Sequence, residues 1–221
     1  MPVKAILLDY DDTLVDTFGS RLLAAKLAAE GILDPALDMN AIMRNSAGRP
    51  QRDIWKDLSD SDQTAEILME KYMNHYWNDT SKSIEIFQGV KDLLSELMLK
   101  QLKLGIVTSK VRLMHNATGP YGVLVEIKRL GLSEMFDVVV GWPDVAESKP
   151  HPAPIHYALN QLKISPDDAV MVGDSHIDIK AAKRAGVTSV AAKWGTLNEH
   201  LLIQSNPDYT IESPHQLIEL V

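Results

Sequence analysis

The sequence predicts a doubly wound α/β fold, in which helices cover both faces of a parallel sheet, with a separate block of helices inserted near the start. Five nearly continuous apolar runs have the length of strands buried on both faces, and helical patterns lie between several of them. Residues 16–87 instead show helical periodicity and no convincing strand. An inserted unit of about 70 residues explains why the chain, at 221 residues, exceeds the roughly 150 of a typical domain.

The predicted strands and helices of the sheet domain alternate in chain order. The apolar runs cover residues 3–9, 102–108, 136–141, 167–174 and 186–192. Helical periodicity covers 90–101, 154–162 and 178–186, and Gly186 is a natural C-terminal cap for the last of these helices. We therefore predict a discontinuous sheet domain, 1–15 and 88–221, and a helical domain, 16–87, with hinges near 15–17 and 83–89.

Composition narrows the possible partners. The chain carries 22 Lys and Arg against 30 Asp and Glu, a net charge of -8, which disfavours nucleic acid and anionic membranes as partners. The absence of cysteine excludes disulfides and thiolate chemistry and is compatible with the cytoplasm, the expected location. No apolar run approaches the roughly 18 residues of a membrane span, and the acidic residues directly after the first run argue against a signal peptide.

Three polar residues stand where apolar runs end. Asp9 ends the first run, Thr108 the second and Asp174 the fourth. Because the carboxyl ends of parallel strands share one edge of a sheet, and ligands bind at that edge, we expect these side chains to meet. The sequence therefore predicts a functional site there.

Four short polar segments lie after the predicted strands. They read DYDDTL at 9–14, VTSK at 107–110, SKPHP at 148–152 and VGDSHID at 172–178. In this order and spacing they resemble the haloacid dehalogenase-like (HAD) hydrolase superfamily, and within it the phosphatase branch with an α-helical cap inserted after the first motif. A D-x-D pair alone is a weak signal, but four segments in order along essentially the whole chain are a strong one. The resemblance implies a Rossmann-like core with an inserted helical cap domain.

The resemblance also implies catalytic carboxylates in the first segment. Asp9 would attack phosphorus and form an aspartyl-phosphate, and Asp11 would protonate the leaving oxygen and then take a proton from water. Asp174 would join Asp9 and the main-chain carbonyl of Asp11 in holding Mg²⁺, a hard cation that prefers oxygen ligands. Neighbouring carboxylates are expected to raise the pKa of Asp11 toward working pH. The alternative for Asp9 and Asp11 is an ordinary turn aspartate.

The other segments would bind the phosphoryl group. Lys149 would neutralise Asp9 and the transferring group, with an exposed surface lysine as the alternative. The Thr108 hydroxyl and the Ser109 amide would bind a phosphoryl oxygen at a helix N-terminus, with a plain helix N-cap as the alternative for Thr108. Asp178 is expected to orient the metal ligands or Lys149, unless it serves only as the carboxylate at the start of its helix.

The cap is expected to close over the site and to read the substrate beyond its phosphate. Residues 46–50, SAGRP, resemble a substrate loop, from which Arg49 or Arg52 would fork onto a carboxylate or a second phosphate. Solvated arginines at a helix start are the alternative.

Two features depart from the family pattern. Asp12 stands where glycine is common, and because aspartate tolerates unusual backbone conformations we expect the loop to form. Residues 115–122, HNATGPYG, lengthen the segment after Thr108 and interrupt the helix expected there with a Gly-Pro turn. This stretch is predicted to be a partner contact or a tolerated loop insertion.

Together these expectations predict a magnesium-dependent phosphatase for a small phosphorylated metabolite, similar to phosphoglycolate phosphatases or pyrophosphatases. A phosphomutase similar to β-phosphoglucomutase is the alternative enzyme, and it would isomerise a sugar phosphate instead of releasing phosphate. A non-catalytic binding or regulatory protein on the same fold is the alternative of another class. The expected partner is a small phosphate ester, with no nucleic acid and no membrane, and the chain is expected to be a monomer or a homodimer.

Overall fold

The computed structural model of the protein describes residues 3–221 and contains a parallel sheet at its centre. The sheet has six strands: β1 (Ala5–Leu8), β4 (Lys103–Val111), β7 (Val138–Trp142), β8 (Ala169–Gly173), β9 (Thr188–Ala192) and β10 (Tyr209–Ile211). They are ordered β10-β9-β8-β1-β4-β7, so β1 lies between β8 and β4. All pairs in this sheet are parallel.

Helices cover both faces of the sheet. They are α5 (Val90–Leu99), α6 (Val123–Arg129), α7 (Ala153–Leu162), α8 (His176–Ala185) and α9 (Glu199–Gln204). Strand β1 is buried on both faces, and its successive side chains point to opposite faces. Its Ile6 and Leu8 pack with α5 and α6, whereas Ala5 and Leu7 pack with α7 and α8. The predicted doubly wound α/β fold is confirmed.

Four helices form the block between β1 and α5, which we call the cap. They are α1 (Phe18–Ala29), α2 (Met39–Asn45), α3 (Gln51–Leu58) and α4 (Asp62–Asn78), followed by a short 3-10 turn (Thr80–Ser83). The cap has an apolar core of its own, in which Trp55 and Leu68 are fully buried. Helix α4 begins after Ser61, whose side chain accepts a hydrogen bond from the Thr64 amide.

Two short strands join the cap to the sheet domain. Strand β2 (Val15–Asp16) pairs antiparallel with β3 (Glu85–Ile86), so the two connections run side by side. The sequence analysis predicted hinges at these places but no strands, because strands of two residues are too short to show a periodic pattern. No helix among residues 3–221 is long and apolar enough to span a bilayer.

The segment after Thr108 differs from the prediction. Strand β4 does not end at Thr108 but continues to Val111, and the Arg112 amide still donates to the Trp142 carbonyl at 2.8 Å. A hairpin follows, made of β5 (Met114–Asn116) and β6 (Gly119–Tyr121), and α6 begins only after it. The expected helix N-terminus at Ser109 is therefore wrong, because backbone pairing with β7 extends the strand beyond its apolar run.

The hairpin contacts the cap of its own chain. The ring of Tyr121 lies 5.5 Å from that of Trp77, centre to centre, at the end of α4. The Thr118 hydroxyl lies 2.9 Å from the side-chain oxygen of Asn78. The inserted stretch thus packs against the last turn of the helix that leads back from the cap.

Candidate active site

Three adjacent strands, β8, β1 and β4, bring Asp174, Asp9 and Thr108 to one edge of the sheet. Leu8 at the end of β1 is level with Ile106 of β4 and Val172 of β8. The amide of Asp9 donates to the Val172 carbonyl at 2.9 Å, which ties the first strand end to the last. Asp9, Thr108 and Asp174 are all buried. The edge of the sheet therefore carries the cluster that the sequence predicted there.

Lys149 reaches this cluster from the loop before α7. Its ammonium group donates to Asp9 Oδ1 at 2.8 Å, to Asp178 Oδ1 at 2.6 Å and to the Val107 carbonyl at 2.8 Å. An ammonium group has three N–H bonds, so all of them are used. Burial disfavours its charge, but Asp178 and Asp9 outweigh burial and hold the pKa of Lys149 above its ordinary value. Lys149 is 3% exposed, so it is not a surface lysine.

Asp178 fills both roles that the sequence left open. It lies in the first turn of α8 and forms a capping box with Ser175, whose amide and hydroxyl both donate to Asp178 Oδ2. Its other oxygen accepts from Lys149. One carboxylate therefore starts the helix and fixes the position of the lysine.

The carboxylates of the cluster are short of positive charge. Oxygens of Asp9, Asp174 and Asp178 all lie within 4.8 Å of one another. Burial raises the pKa of Asp9 to about 7 against the opposing effect of Lys149. Burial and the neighbouring carboxylates, Asp12 first among them, raise the pKa of Asp174 well above its ordinary value. Without a further cation, these groups resist carrying their full negative charge.

The donor set fits a divalent cation. Both oxygens of Asp178 already accept hydrogen bonds, from Lys149 and from Ser175. The Asp174 carboxylate instead accepts a 2.9 Å hydrogen bond from the Thr13 hydroxyl at one oxygen. Asp9 and Asp174 thus offer carboxylate oxygens in a buried place that lacks positive charge, and a hard cation such as Mg²⁺ prefers such ligands.

Asp11 has a partner that the sequence analysis did not select. Lys110 donates to Asp11 Oδ1 at 2.9 Å. Burial by itself would raise the pKa of Asp11, but Lys110 and Arg21 together hold it below its ordinary value. The expectation of a raised pKa is therefore wrong, because two cations and not only carboxylates face this group. Lys110 is the last letter of the VTSK segment, and that position was the signal available in the sequence.

Lys110 is enclosed by groups from the sheet domain and the cap. Its ammonium group donates to the Tyr76 hydroxyl at 2.6 Å and lies 3.0 Å from Glu126 Oε2. It also lies over the rings of Tyr10, Tyr76 and Trp77 at 4.5–5.2 Å from their centres. Burial opposes its charge, but Asp11 and Glu126 raise the pKa of Lys110 above its ordinary value.

Asp12 has a left-handed backbone conformation, with φ of 62°. The expectation that aspartate tolerates this position is confirmed. Its side chain accepts hydrogen bonds from the Thr17 amide and hydroxyl and forms an ion pair with Arg21 of the cap. A cap residue therefore compensates the charge that Asp12 adds to the loop.

Thr108 and Ser109 lie inside β4. The Thr108 hydroxyl oxygen accepts from the Lys110 amide at 3.1 Å, so Thr108 is no helix N-cap. The Ser109 hydroxyl is buried and has no hydrogen-bond partner within residues 3–221. The two side chains thus lie within a strand and not at a helix terminus.

The cap loop approaches the site, but its arginines do not reach the carboxylates. A Cβ on Gly48 would come 2.6 Å from the Ser175 hydroxyl, which shows how closely the loop packs on the start of α8. Arg49 pairs with Asp57 of α3 at 2.7 Å. Arg52 is exposed and lines a groove between α3 and α4. In the part of the chain that the structure describes, neither arginine is hydrogen-bonded to the Asp9 cluster.

The chain is similar in sequence and in fold to known hydrolases. A family model described as "Haloacid dehalogenase-like hydrolase" matches residues 6–192. Pyrophosphatase PpaX of Halalkalibacterium halodurans is 30% identical over 221 residues, which cover 100% of this chain and 98% of that protein. A solved haloacid dehalogenase-like family hydrolase of Streptococcus pneumoniae is 26% identical, with a TM-score of 0.83 over 99% of this chain and 98% of that chain.

A further solved structure shares the fold at lower identity. The predicted phosphoglycolate phosphatase of Haemophilus somnus has a TM-score of 0.84 at 21% identity, over 99% of this chain and 97% of that chain. The family match includes Asp9, Lys149 and Asp174, which the fold buries together at one edge of the sheet. The resemblance seen in the four motifs is confirmed, and the chain belongs to the haloacid dehalogenase-like hydrolases.

Proposed function

We propose that this hydrolase is a magnesium-dependent phosphatase that releases phosphate from a small phosphorylated metabolite through an aspartyl-phosphate on Asp9. The observation that carries the proposal is the buried contact between Asp9 and Lys149, with Asp174 beside it at the carboxyl edge of the sheet. A relative that is 30% identical over the whole chain is named a pyrophosphatase, which supports phosphoryl transfer as the chemistry.

In the first step, a carboxylate oxygen of Asp9 attacks phosphorus, and the bond from phosphorus to the leaving oxygen breaks. Lys149 holds Asp9 Oδ1 at 2.8 Å and supplies a fixed positive charge where the phosphoryl group is transferred. Asp178 keeps the ammonium group in place from the other side. The Thr108 hydroxyl and the Ser109 amide, in the neighbouring strand β4, would bind phosphoryl oxygens.

Asp11 would serve both proton transfers. It would donate a proton to the leaving oxygen in the first step and remove one from water in the second, when water attacks the phosphorus of the aspartyl-phosphate. The proton that Asp11 removes from water in one turnover is the proton that it donates to the leaving oxygen in the next. After that donation, Lys110 and Arg21 favour the carboxylate form of Asp11. That form is the base required for the second step.

The metal would be held by Asp9, Asp174 and the main-chain carbonyl of Asp11. When bound, Mg²⁺ neutralises negative charge on the carboxylates and on the phosphoryl oxygens. The buried, raised-pKa carboxylates support this placement, because their ionised forms need a compensating cation. Asp178 would orient Lys149 without touching the metal.

The close packing of the cap on the site supports a small substrate. Gly48 of the cap loop meets Ser175, and Tyr76 of α4 reaches Lys110 beside Asp11. Arg49 and Arg52 lie apart from the carboxylates, so contact with a second anionic group of the substrate would require them to leave their present positions. Pyrophosphate and phosphoglycolate are the first compounds to test.

The decisive experiment measures phosphate release from a panel of phosphate esters and pyrophosphate, with Mg²⁺ and with a chelator. We expect activity only with the metal, and Asp9→Asn to abolish it while the thermal unfolding transition is retained. Asp167→Asn, an exposed aspartate in a 3-10 turn, is the matched control and should retain activity. Full activity of Asp9→Asn would refute the nucleophile, and isomerisation of a sugar phosphate without release would favour the mutase.

A further inference from the structure

Lys110 is held by three separate elements of the protein. Asp11 belongs to the loop after β1, Glu126 to α6 and Tyr76 to α4 of the cap, and the ammonium group lies 2.9, 3.0 and 2.6 Å from their oxygens. Tyr76 also donates its own hydroxyl proton to Glu126 Oε1 at 3.0 Å. The phenol therefore accepts from the lysine and donates to the carboxylate.

These groups are buried and their arrangement is specific. Tyr76 is 1% exposed and Glu126 is 3% exposed. A buried glutamate is costly unless a cation and hydrogen bonds compensate it, and Lys110 and Tyr76 provide both. Because a lysine side chain is long and flexible, its ammonium group stays at one point only when several partners fix it there. Here, Tyr76 and Glu126 are the partners that take no part in the proposed chemistry.

We infer that Tyr76 and Glu126 are positioning residues, which fix Lys110 so that it holds one oxygen of Asp11 and leaves the other free to face the leaving group. This inference rests on the proposed function, in which Asp11 is the acid and base. Since Tyr76 belongs to the cap and Glu126 to the sheet domain, the arrangement is complete only when the cap is docked on the site.

This positioning role predicts rate losses that depend on the basicity of the leaving group. An alkyl phosphate expels a strongly basic oxygen and needs a well-placed proton donor, whereas p-nitrophenyl phosphate expels a weakly basic one and needs little help. Loss of an acid, or of its position, slows the first class much more than the second. Loss of stability or of overall folding would slow both classes in the same proportion.

The test compares kcat and KM for p-nitrophenyl phosphate and an alkyl phosphate in Tyr76→Phe, which removes only the hydroxyl group. We expect kcat for the alkyl ester to fall about tenfold, the scale of one buried hydrogen bond, with less than about a twofold change for the aryl ester. Glu126→Gln is the second variant, because it keeps the shape but removes the charge, and it should show the same selectivity. KM should change little for either ester.

Tyr72→Phe is the matched control. Tyr72 lies one turn earlier on α4 and stacks on Tyr76 at 5.9 Å, but within residues 3–221 its hydroxyl is not hydrogen-bonded to Lys110. Tyr72→Phe should therefore not lower kcat for one ester more than for the other. Asp11→Asn is the reference, and its failure to discriminate between the esters would refute the acid role and this inference with it. If Asp11→Asn discriminates but Tyr76→Phe and Glu126→Gln do not, the positioning role alone is overturned.

Discussion

Replacing Lys149 with methionine removes an ammonium group that contacts both Asp9 and Asp178. In the folded protein the two carboxylates lie 2.8 and 2.6 Å from that group, and all three side chains are at most 8% exposed. The variant leaves two buried carboxylates without their cation. Breaking a buried ion pair by removing one partner costs about 3–5 kcal/mol, so Lys149→Met should lower the free energy of unfolding by about that amount.

Lys103→Met supplies the comparison at equal distance. Lys103 pairs with Asp137 at 2.6 Å, but both side chains are substantially exposed, at 53% and 34%. Exposed pairs contribute about 0–1 kcal/mol, because water screens the charges and the side chains lose freedom. The two variants therefore differ in the burial of the ion pair and hardly in its length.

Urea unfolding at pH 7, followed by tryptophan fluorescence with a chelator present, measures both free energies. The chelator prevents a bound cation from compensating the carboxylates. In a separate assay with Mg²⁺, phosphate release should fall on the order of 10²–10³-fold in Lys149→Met and remain unchanged in Lys103→Met. Of these two lysines, only Lys149 contacts Asp9. Equal destabilisation by the two variants would refute the argument from burial, and full activity of Lys149→Met would refute its role.

Two further predictions concern backbone contact and pH. Gly195→Ala should destabilise the protein by about 1–3 kcal/mol and lower activity, because its Cβ would come 1.6 Å from the Asp12 carbonyl; Gly19→Ala, with open space around it, is the control in the same thermal unfolding assay. Burial by itself would raise the pKa of Asp208, but hydrogen bonds from the Ser189 hydroxyl and amide hold this pKa below its ordinary value. A depressed pKa stabilises the fold above the unfolded-state pKa, and this contribution is lost as pH falls through the folded-state pKa. Asp208→Asn should therefore be less stable than the original protein at pH 7, and the difference should shrink as pH is lowered through the folded-state pKa of Asp208. A constant difference in urea unfolding would contradict this.

Much of the fold follows from local sequence. The run AILL of β1 is apolar on both faces, and the structure buries all four residues between two helical layers. Asp9 and Asp174 end buried runs, so the geometry of a parallel sheet brings them to one edge whatever the details of packing. The acidic start of α8 and its end at Gly186 are also local, since capping depends on neighbouring residues.

Other features depended on contacts that are distant in sequence. Strand β4 continues past Thr108 because its backbone pairs with β7, which the run of side chains does not reveal. The pKa of Asp11 is lowered because Lys110, 99 positions away, and Arg21 of the cap both face it. Two-residue strands at the hinge are too short to leave a periodic pattern. The domain boundaries and the catalytic roles remain predictions.

The sequence by itself determined five of the six strands of the central sheet, the inserted helical block and the carboxyl edge where Asp9 and Asp174 meet, because these depend on apolar periodicity and on the ends of runs. The family resemblance implied that Lys149 neutralises Asp9, but tertiary structure alone placed Lys110 and Arg21 beside Asp11. Lys149 is shared by Asp9 and Asp178, and Lys110 by Asp11 and Glu126. The physical reason is that Coulomb attraction and desolvation act through space, so the protonation state of a carboxylate depends on neighbours that only the folded chain brings near it.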